Sequence, residues 1–260
     1  MNGVNKTLYI PLYGKAYVSK TGILLDDKKA EEIWAKEGFL LKGKAKSKYL
    51  AYYMGIRAAV FDDWLRNQMA ATEDAVVLHI GCGMDSRVCR IGTMNHKWYD
   101  VDLAEVIEER KRYYTETEDY RMVVGDAREN DWLSAISGKR AIVVLEGVSM
   151  YLTPSQLQAL VGNLCARFEQ LSILMDCYTV FAAKVSKYKN PINEVGVTQV
   201  YGVDCPKDLE RDDFFFVQEQ DMTPQKYIDE LNGSEKRIFE KLYAGKFSKK
   251  LYRMYEYKKI

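Results

Sequence analysis

The segment Val76-Val77-Leu78-His79-Ile80-Gly81-Cys82-Gly83-Met84-Asp85-Ser86-Arg87 carries an apolar run into a pair of glycines, after which a helix is expected near Asp85. Gly81 and Gly83 can take backbone angles that residues with a Cβ resist, and they let a ligand approach the main chain. Roughly twenty residues on, Trp98-Tyr99-Asp100-Val101-Asp102 ends in an acid placed to hold a ribose hydroxyl pair. Gly125-Asp126-Ala127-Arg128 follows a third apolar run, and Glu146-Gly147 ends a fourth. Asp126 is suited to accept a hydrogen bond from an adenine amino group, and Glu146 to meet the ammonium of an amino-acid tail. Any one of these acids could equally be a helix cap or a solvated loop residue. The dinucleotide fingerprint needs a third glycine where Ser86 stands, which argues against a nicotinamide or flavin. An adenosine ligand without a pyrophosphate needs less support from a helix dipole, which fits.

These residues require a scaffold that brings strand ends to one rim. From residue 72 onward, short apolar runs (76–80, 97–101, 121–124, 141–145, 171–176) alternate with amphipathic segments, notably 103–114 and 154–170. Runs of about five β-branched or aromatic residues suit buried parallel strands, and strand–helix alternation implies right-handed crossovers in a doubly wound sheet. Two later strands, 213–217 and 250–257, close a seven-stranded α/β sheet, the last of them an edge or antiparallel strand. In such a sheet Gly81, Asp102, Asp126 and Glu146 share one rim, at the carboxyl ends where doubly wound folds bind ligands. Thr153 and Pro154 form a helix start. Before residue 72 the chain reads as helical, with helices at 28–36 and 48–69. Leu50, Met54, Ala58, Phe61 and Leu65 keep helical spacing in the second, and Asp26 or Asp27 caps the first.

Composition narrows the function classes. With 38 basic and 37 acidic side chains, the formal charge of +1 gives no general attraction to nucleic acid or an anionic membrane. The lysine-rich stretches at 42–48 and 246–250 read as solvated surface. No apolar run approaches the ~20 residues that span a bilayer, and Met1–Pro11 lacks a leader pattern, so a cytoplasmic location is expected. Five cysteines (Cys82, Cys89, Cys165, Cys177, Cys205) without a CxxC pair read as buried free thiols, with neither a disulfide framework nor a metal site. His79 lies inside an apolar strand and reads as a core histidine, and His96 as a loop residue. Tyr178 either lines an acceptor pocket or packs.

Over nearly its whole length the chain resembles the leucine carboxyl methyltransferase superfamily, within the class I S-adenosylmethionine-dependent methyltransferases. It is most similar to the bacterial branch of tetracenomycin polyketide synthesis-type O-methyltransferases. Thr7-Leu8-Tyr9-Ile10-Pro11-Leu12-Tyr13-Gly14-Lys15-Ala16 looks like that branch's opening motif, and Met54-Gly55-Ile56-Arg57 with Phe61-Asp62 like its R-T-x-x-x-D helix. Gly81-Cys82-Gly83-Met84-Asp85-Ser86-Arg87 matches G-x-G-x-D-[ST]-R, the most specific piece. Trp98–Leu103 looks like its W-Y-D-x-D-L-P strand, with Ala104 where proline is usual, Glu146–Leu152 matches E-G-x-x-M-Y-[LF], and Tyr201-Gly202-Val203-Asp204 looks like a late W-G-x-D element.

The resemblance implies a Rossmann-like core at 72–260 behind a helical N-terminal cap at 1–71, together one methyltransferase domain. It implies S-adenosylmethionine as methyl donor, S-adenosylhomocysteine as product, and no metal. Arg57 would hold the donor's carboxylate, Lys15 would clamp cofactor or substrate, and Gly81, Cys82, Gly83 and Asp85 would line the methionine part. Asp102 with Leu103 would hold the ribose, Asp126 with Ala127 the adenine, and Glu146 with Gly147 the sulfonium end. Tyr151 would stand near the acceptor, and Tyr151 and Glu146 would serve the transfer. The chain departs from the family at Lys15, where arginine is usual, and at Ala58, where threonine is usual. Lysine keeps the charge and loses the bidentate fork.

The chemistry expected is an in-line displacement on an already activated methyl group, in which alignment and desolvation do most of the work. A carboxylate acceptor on a small organic acid is ionised at neutral pH and needs no base. A phenol would need one, and no residue in the sequence stands out for that role. Other readings are a protein C-terminal carboxyl methyltransferase, a nicotinamide oxidoreductase on the same sheet, and a non-catalytic protein that keeps the donor pocket.

Overall fold

The computed structural model describes residues 8–37, 46–186 and 199–260. Thr7 of the opening motif, the start at 1–7, and most of the lysine-rich stretch at 42–48 lie outside them. The described chain builds a seven-stranded sheet in the order β3-β2-β1-β4-β5-β7-β6. Its strands are β1 (Val76–Ile80), β2 (Trp98–Asp102), β3 (Tyr120–Val124), β4 (Arg140–Leu145), β5 (Gln170–Tyr178), β6 (Phe214–Glu219) and β7 (Tyr252–Lys259). The first five are parallel, and β7 runs antiparallel to both neighbours. The expected strand bounds hold to within about two residues, the usual uncertainty of strand ends. β7 is antiparallel and interior, and the edge falls to β6.

Three helices precede the sheet: α1 (Tyr9–Thr21), α2 (Lys28–Glu37) and α3 (Lys48–Ala71). Leu12, Ile33, Ile56, Phe61 and Leu65 from them pack on one sheet face, against Val77, Trp98, Ile142, Val144 and Leu174. The other face (Leu78, Ile80, Val101, Val143, Leu145, Ile173) is covered by Leu157, Leu160, Val161 and Leu164 of α6 (Pro154–Arg167). Successive strand residues point to opposite faces, so a strand covered on both sides reads as a continuous apolar run. That is the signal seen at 76–80 and 141–145.

Local chemistry sets the helix ends as expected in two places. Thr153 Oγ1 accepts the Gln156 N–H while the Gln156 side chain accepts the Thr153 N–H, a capping box with Pro154 in the first turn. Asp27 accepts the Ala30 N–H at the start of α2. Three differences appear. The helix α4 (Arg87–Ile91) begins two residues after Asp85, and α5 (Ala104–Arg110) is shorter than the amphipathic pattern at 103–114, giving way to turns that bury Tyr113 and Tyr114. Leu50 and Met54 of α3 face a cavity rather than the core. The opening motif is itself a helix, α1. It crosses α3 closely because Gly14 has no Cβ, which would lie 2.6 Å from Met54 Cβ.

Candidate active site

A cavity of about 1100 Å³ opens at the carboxyl ends of β1 to β4, where the strand order reverses direction. The site residues that the family resemblance implies all line it: Lys15, Arg57, Gly81, Cys82, Gly83, Asp85, Asp102, Leu103, Asp126, Ala127, Glu146, Gly147 and Tyr151. The turn after β1 is built from Gly81 and Gly83, with φ of 65° and 52°, in the left-handed region. A methyl group on Gly81 would also run into Val148 Cγ2. Gly81→Ala is therefore expected to cost about 1–3 kcal/mol through strain and overpacking, read as a lower urea midpoint with an unchanged m-value.

Asp102 closes β2 and holds this turn. One carboxylate oxygen accepts the Gly83 N–H at 2.7 Å and the other the Leu103 N–H at 2.8 Å. Burial pushes its pKa above the ordinary carboxylate value, more than these two hydrogen bonds lower it. Asp126 is held by the backbone N–H and the guanidinium of Arg128, which also lines the cavity. The hydrogen bond from Arg128 keeps the Asp126 carboxyl below its usual range.

The floor is a buried charge network. Lys15 Nζ lies 2.7 Å from Asp85 and 3.4 Å from Glu146. Arg57 lies 3.0 Å from Glu146 and 3.0 Å from Asp176. Arg87 contacts Glu146, Asp85 and Asp62, and Arg90 ties Asp27, Asp62 and Asp85 together. Burial alone would raise Glu146 and Asp85. Lys15, Arg57 and Arg87 around Glu146, and Arg90, Lys15 and Arg87 around Asp85, outweigh it and hold both well below the ordinary range. Asp85 and Arg87 thus form an ion pair at the cavity wall, and the side chain of Asp85 does not cap α4.

His79 is buried 3.2 Å from Asp100, as a core histidine, although it also borders the cavity. His96 is buried, with Nδ1 2.7 Å from the Ala75 carbonyl. All five cysteines are free, but Cys89 and Cys205 are exposed, which corrects the expectation of five buried thiols. Sequence reasoning passed over Asp176, Arg90, Arg110 and Tyr252, and named Asp62 only within a motif, without a role. For Asp176 a signal existed: an acid within an apolar strand, one position beyond the Leu145–Met175 pairing and so beside Glu146.

The cavity walls suit an adenosyl amino acid. Asp102 brings a carboxylate to the cavity wall, and Leu103 and Ala127 also line it. Glu146 Oε1 is held by ion pairs from Arg57 and Lys15 without a well-directed hydrogen bond, and Arg57 Nε has no hydrogen-bond partner among the described residues. Among the described lining residues, His79 aside, three cations (Lys15, Arg57, Arg128) face four acids (Asp85, Asp102, Asp126, Glu146), which complements a ligand carrying one net positive charge.

This sheet order is that of the class I S-adenosylmethionine-dependent methyltransferase fold. The leucine carboxyl methyltransferase family profile matches residues 11–165, more than half of the chain. The chain belongs to that family. It is 29% identical over 213 residues to the tetracenomycin polyketide synthesis O-methyltransferase TcmP of Streptomyces glaucescens, covering 81% of this chain and 79% of that one. It is 21% identical over 234 residues to the S-adenosyl-L-methionine-dependent methyltransferase dpfgK of Gibberella zeae, covering 81% and 78%. Among solved structures, a DUF574 family protein from Streptomyces avermitilis superposes with a TM-score of 0.58 at 9% identity, over 95% of this chain and 96% of that one. Magnesium protoporphyrin IX methyltransferase from Synechocystis PCC 6803, solved with S-adenosylhomocysteine, gives 0.53 at 11%, over 95% and 97%. At these identities the two structures speak for the fold.

Proposed function

We propose that this protein transfers a methyl group from S-adenosylmethionine to an oxygen of a small organic acid, forming a methyl ester. The observation that carries the reading is the convergence of the Gly81–Gly83 turn, Asp102, Asp126 and Glu146 on one cavity, whose far side is apolar and tyrosine-lined. The similarity to TcmP, an O-methyltransferase of polyketide synthesis, supports oxygen as the acceptor atom.

S-adenosylmethionine supplies a methyl group already activated as a sulfonium, so the protein's work is to bind, align and exclude water. Asp102 holds the ribose, with Leu103 against it, and Asp126 and Ala127 take the adenine edge. Gly81, Cys82 and Gly83 receive the methionine chain at the backbone. Lys15 and Arg57 meet the donor's carboxylate, with Asp85 holding Lys15 in place. Glu146 and Gly147 border the sulfonium end, and Tyr151 stands at the acceptor side. Residues 1–71 act as a helical cap over the 72–260 core in one domain, and the protein works in the cytoplasm on a small molecule.

The test has two parts. Calorimetry on the folded protein is expected to show binding of S-adenosylhomocysteine. Transfer of labelled methyl to a panel of aromatic and aliphatic acids and phenols is expected to give base-labile esters. Labelling of phenols alone would reject the ester-forming version, and no binding heat would reject the whole reading.

A further inference from the structure

We propose that Tyr252 and Asp176 form a proton relay on the cavity wall, extending the acceptor range to neutral hydroxyls such as phenols. The inference rests on the methyl-transfer reading above and adds a second acceptor class to it. Tyr252, on β7, lines the cavity and donates its hydroxyl hydrogen to Asp176 Oδ2 at 2.8 Å. Asp176, near the end of β5, is fully buried. Its Oδ1 accepts the Gly147 N–H at 2.6 Å, and its Oδ2 also accepts from Arg57 Nη1 at 3.0 Å.

Arg57 Nη1 donates to the Tyr252 oxygen as well, at 3.2 Å. The Tyr252 hydrogen is thus committed to Asp176, and its oxygen keeps one lone pair for a donor in the cavity. A carboxylate has no hydrogen to offer that lone pair, whereas a hydroxyl has. The relay is therefore dispensable for one acceptor class and useful for the other.

The environment suits a base. The groups facing this pair are Arg57 and Tyr53 from α3, Glu146 after β4, and Tyr178 from β5. Burial pushes the Asp176 carboxyl above its ordinary value, Arg57 opposes this, and Glu146 adds to it. The Tyr178 ring packs edge-on against Tyr252 with centroids 4.9 Å apart, fixing the phenol's direction.

In the step, the acceptor oxygen forms its bond to the methyl carbon as the methyl–sulfur bond breaks, leaving a neutral thioether. The acceptor's hydrogen passes to Tyr252 Oη, and the Tyr252 hydrogen passes to Asp176 Oδ2. The positive charge of the sulfonium and the negative charge of Asp176 vanish together, which a low-dielectric cavity favours. After the methyl ether leaves, the proton returns to water through Tyr252.

The test uses the full-length protein with 2-naphthol and 2-naphthoate as matched probes, and variants Tyr252→Phe and Asp176→Asn. Tyr252→Phe keeps the packing should Asp176→Asn fail to fold. The ratio of kcat for the naphthol to kcat for the naphthoate is expected to fall about 10²–10⁴-fold in each variant, the usual worth of a positioned base. A ratio that stays put, or methylation of the naphthoate only by the wild type, overturns the relay. A second measurement needs no turnover. With S-adenosylhomocysteine bound, 4-nitrophenol is expected to ionise at higher pH in the wild type than in either variant, because the Asp176 carboxylate opposes a second negative charge and Tyr252 accepts from the protonated form. Absence of that difference, or of nitrophenol binding, also overturns the relay. Neither result touches the donor-binding heat, whose loss would strike the methyl-transfer reading instead.

Discussion

Replacing Arg87 by methionine is expected to lower folding stability by about 3–5 kcal/mol, the cost of removing one partner from a buried ion-pair network. Arg87 is wholly buried, its guanidinium packs over the Phe61 ring, and it is 3.1 Å from Asp85 and 3.4 Å from Asp62. Methionine fills much of the same volume, so the loss is electrostatic rather than a cavity. The lower end of the range is expected, because Lys15 and Arg57 still face Glu146, and Arg90 still holds Asp62 and Asp85. Denaturant unfolding of the two proteins measures it. Arg87→Lys restores charge without the planar fork, and should recover only part of the loss. A methionine variant as stable as the wild type would show that hydrophobic replacement matches the network, the outcome known for some buried ion pairs.

Replacing Asp102 by alanine is expected to weaken S-adenosylhomocysteine binding by about 1–3 kcal/mol, or roughly 5- to 150-fold in Kd, the range for hydrogen bonds to a charged group. Asp102 also holds the Gly83 and Leu103 amides, so a purely architectural role must be separated from ligand contact. Thermal unfolding without ligand reports the first, and calorimetry at a temperature where the variant is folded reports the second. A lower melting point with an unchanged Kd would assign Asp102 to loop architecture and take the ribose role from it. Asp126→Ala gives a useful contrast, since that carboxylate is already satisfied by Arg128 and a smaller loss in affinity is expected.

Much of this site was legible because its scaffold writes itself in apolar runs. Strands covered on both faces leave five-residue stretches such as Val76–Ile80, and the residues that follow them fall on one rim by topology. Gly81, Asp102, Asp126 and Glu146 could therefore be grouped from sequence order alone. The charge network could not. Its members come from α1, α3, α4 and the strand ends, and which acid meets which base depends on helix placement that no spacing rule contains. Arg57 illustrates the limit: its helix was foreseen, while its engagement by Glu146 and Asp176 depends on how α3 lies over β4 and β5. The relay pair was hidden for the same reason. Asp176 and Tyr252 are far apart in sequence and meet only because β7 pairs with β5.

The insertion of β7 between β5 and β6 bears on how the chain assembles as it leaves the ribosome. β6 touches the sheet only through β7, so residues 214–219 have no edge to join until residues 252–259 have emerged. The nascent chain must carry the exposed side chains of Phe215 and Val217 through that interval without a strand partner. The pairing of that segment thus arrives in one late event, which leaves a stalled or clipped chain with an apolar strand that has no edge to join.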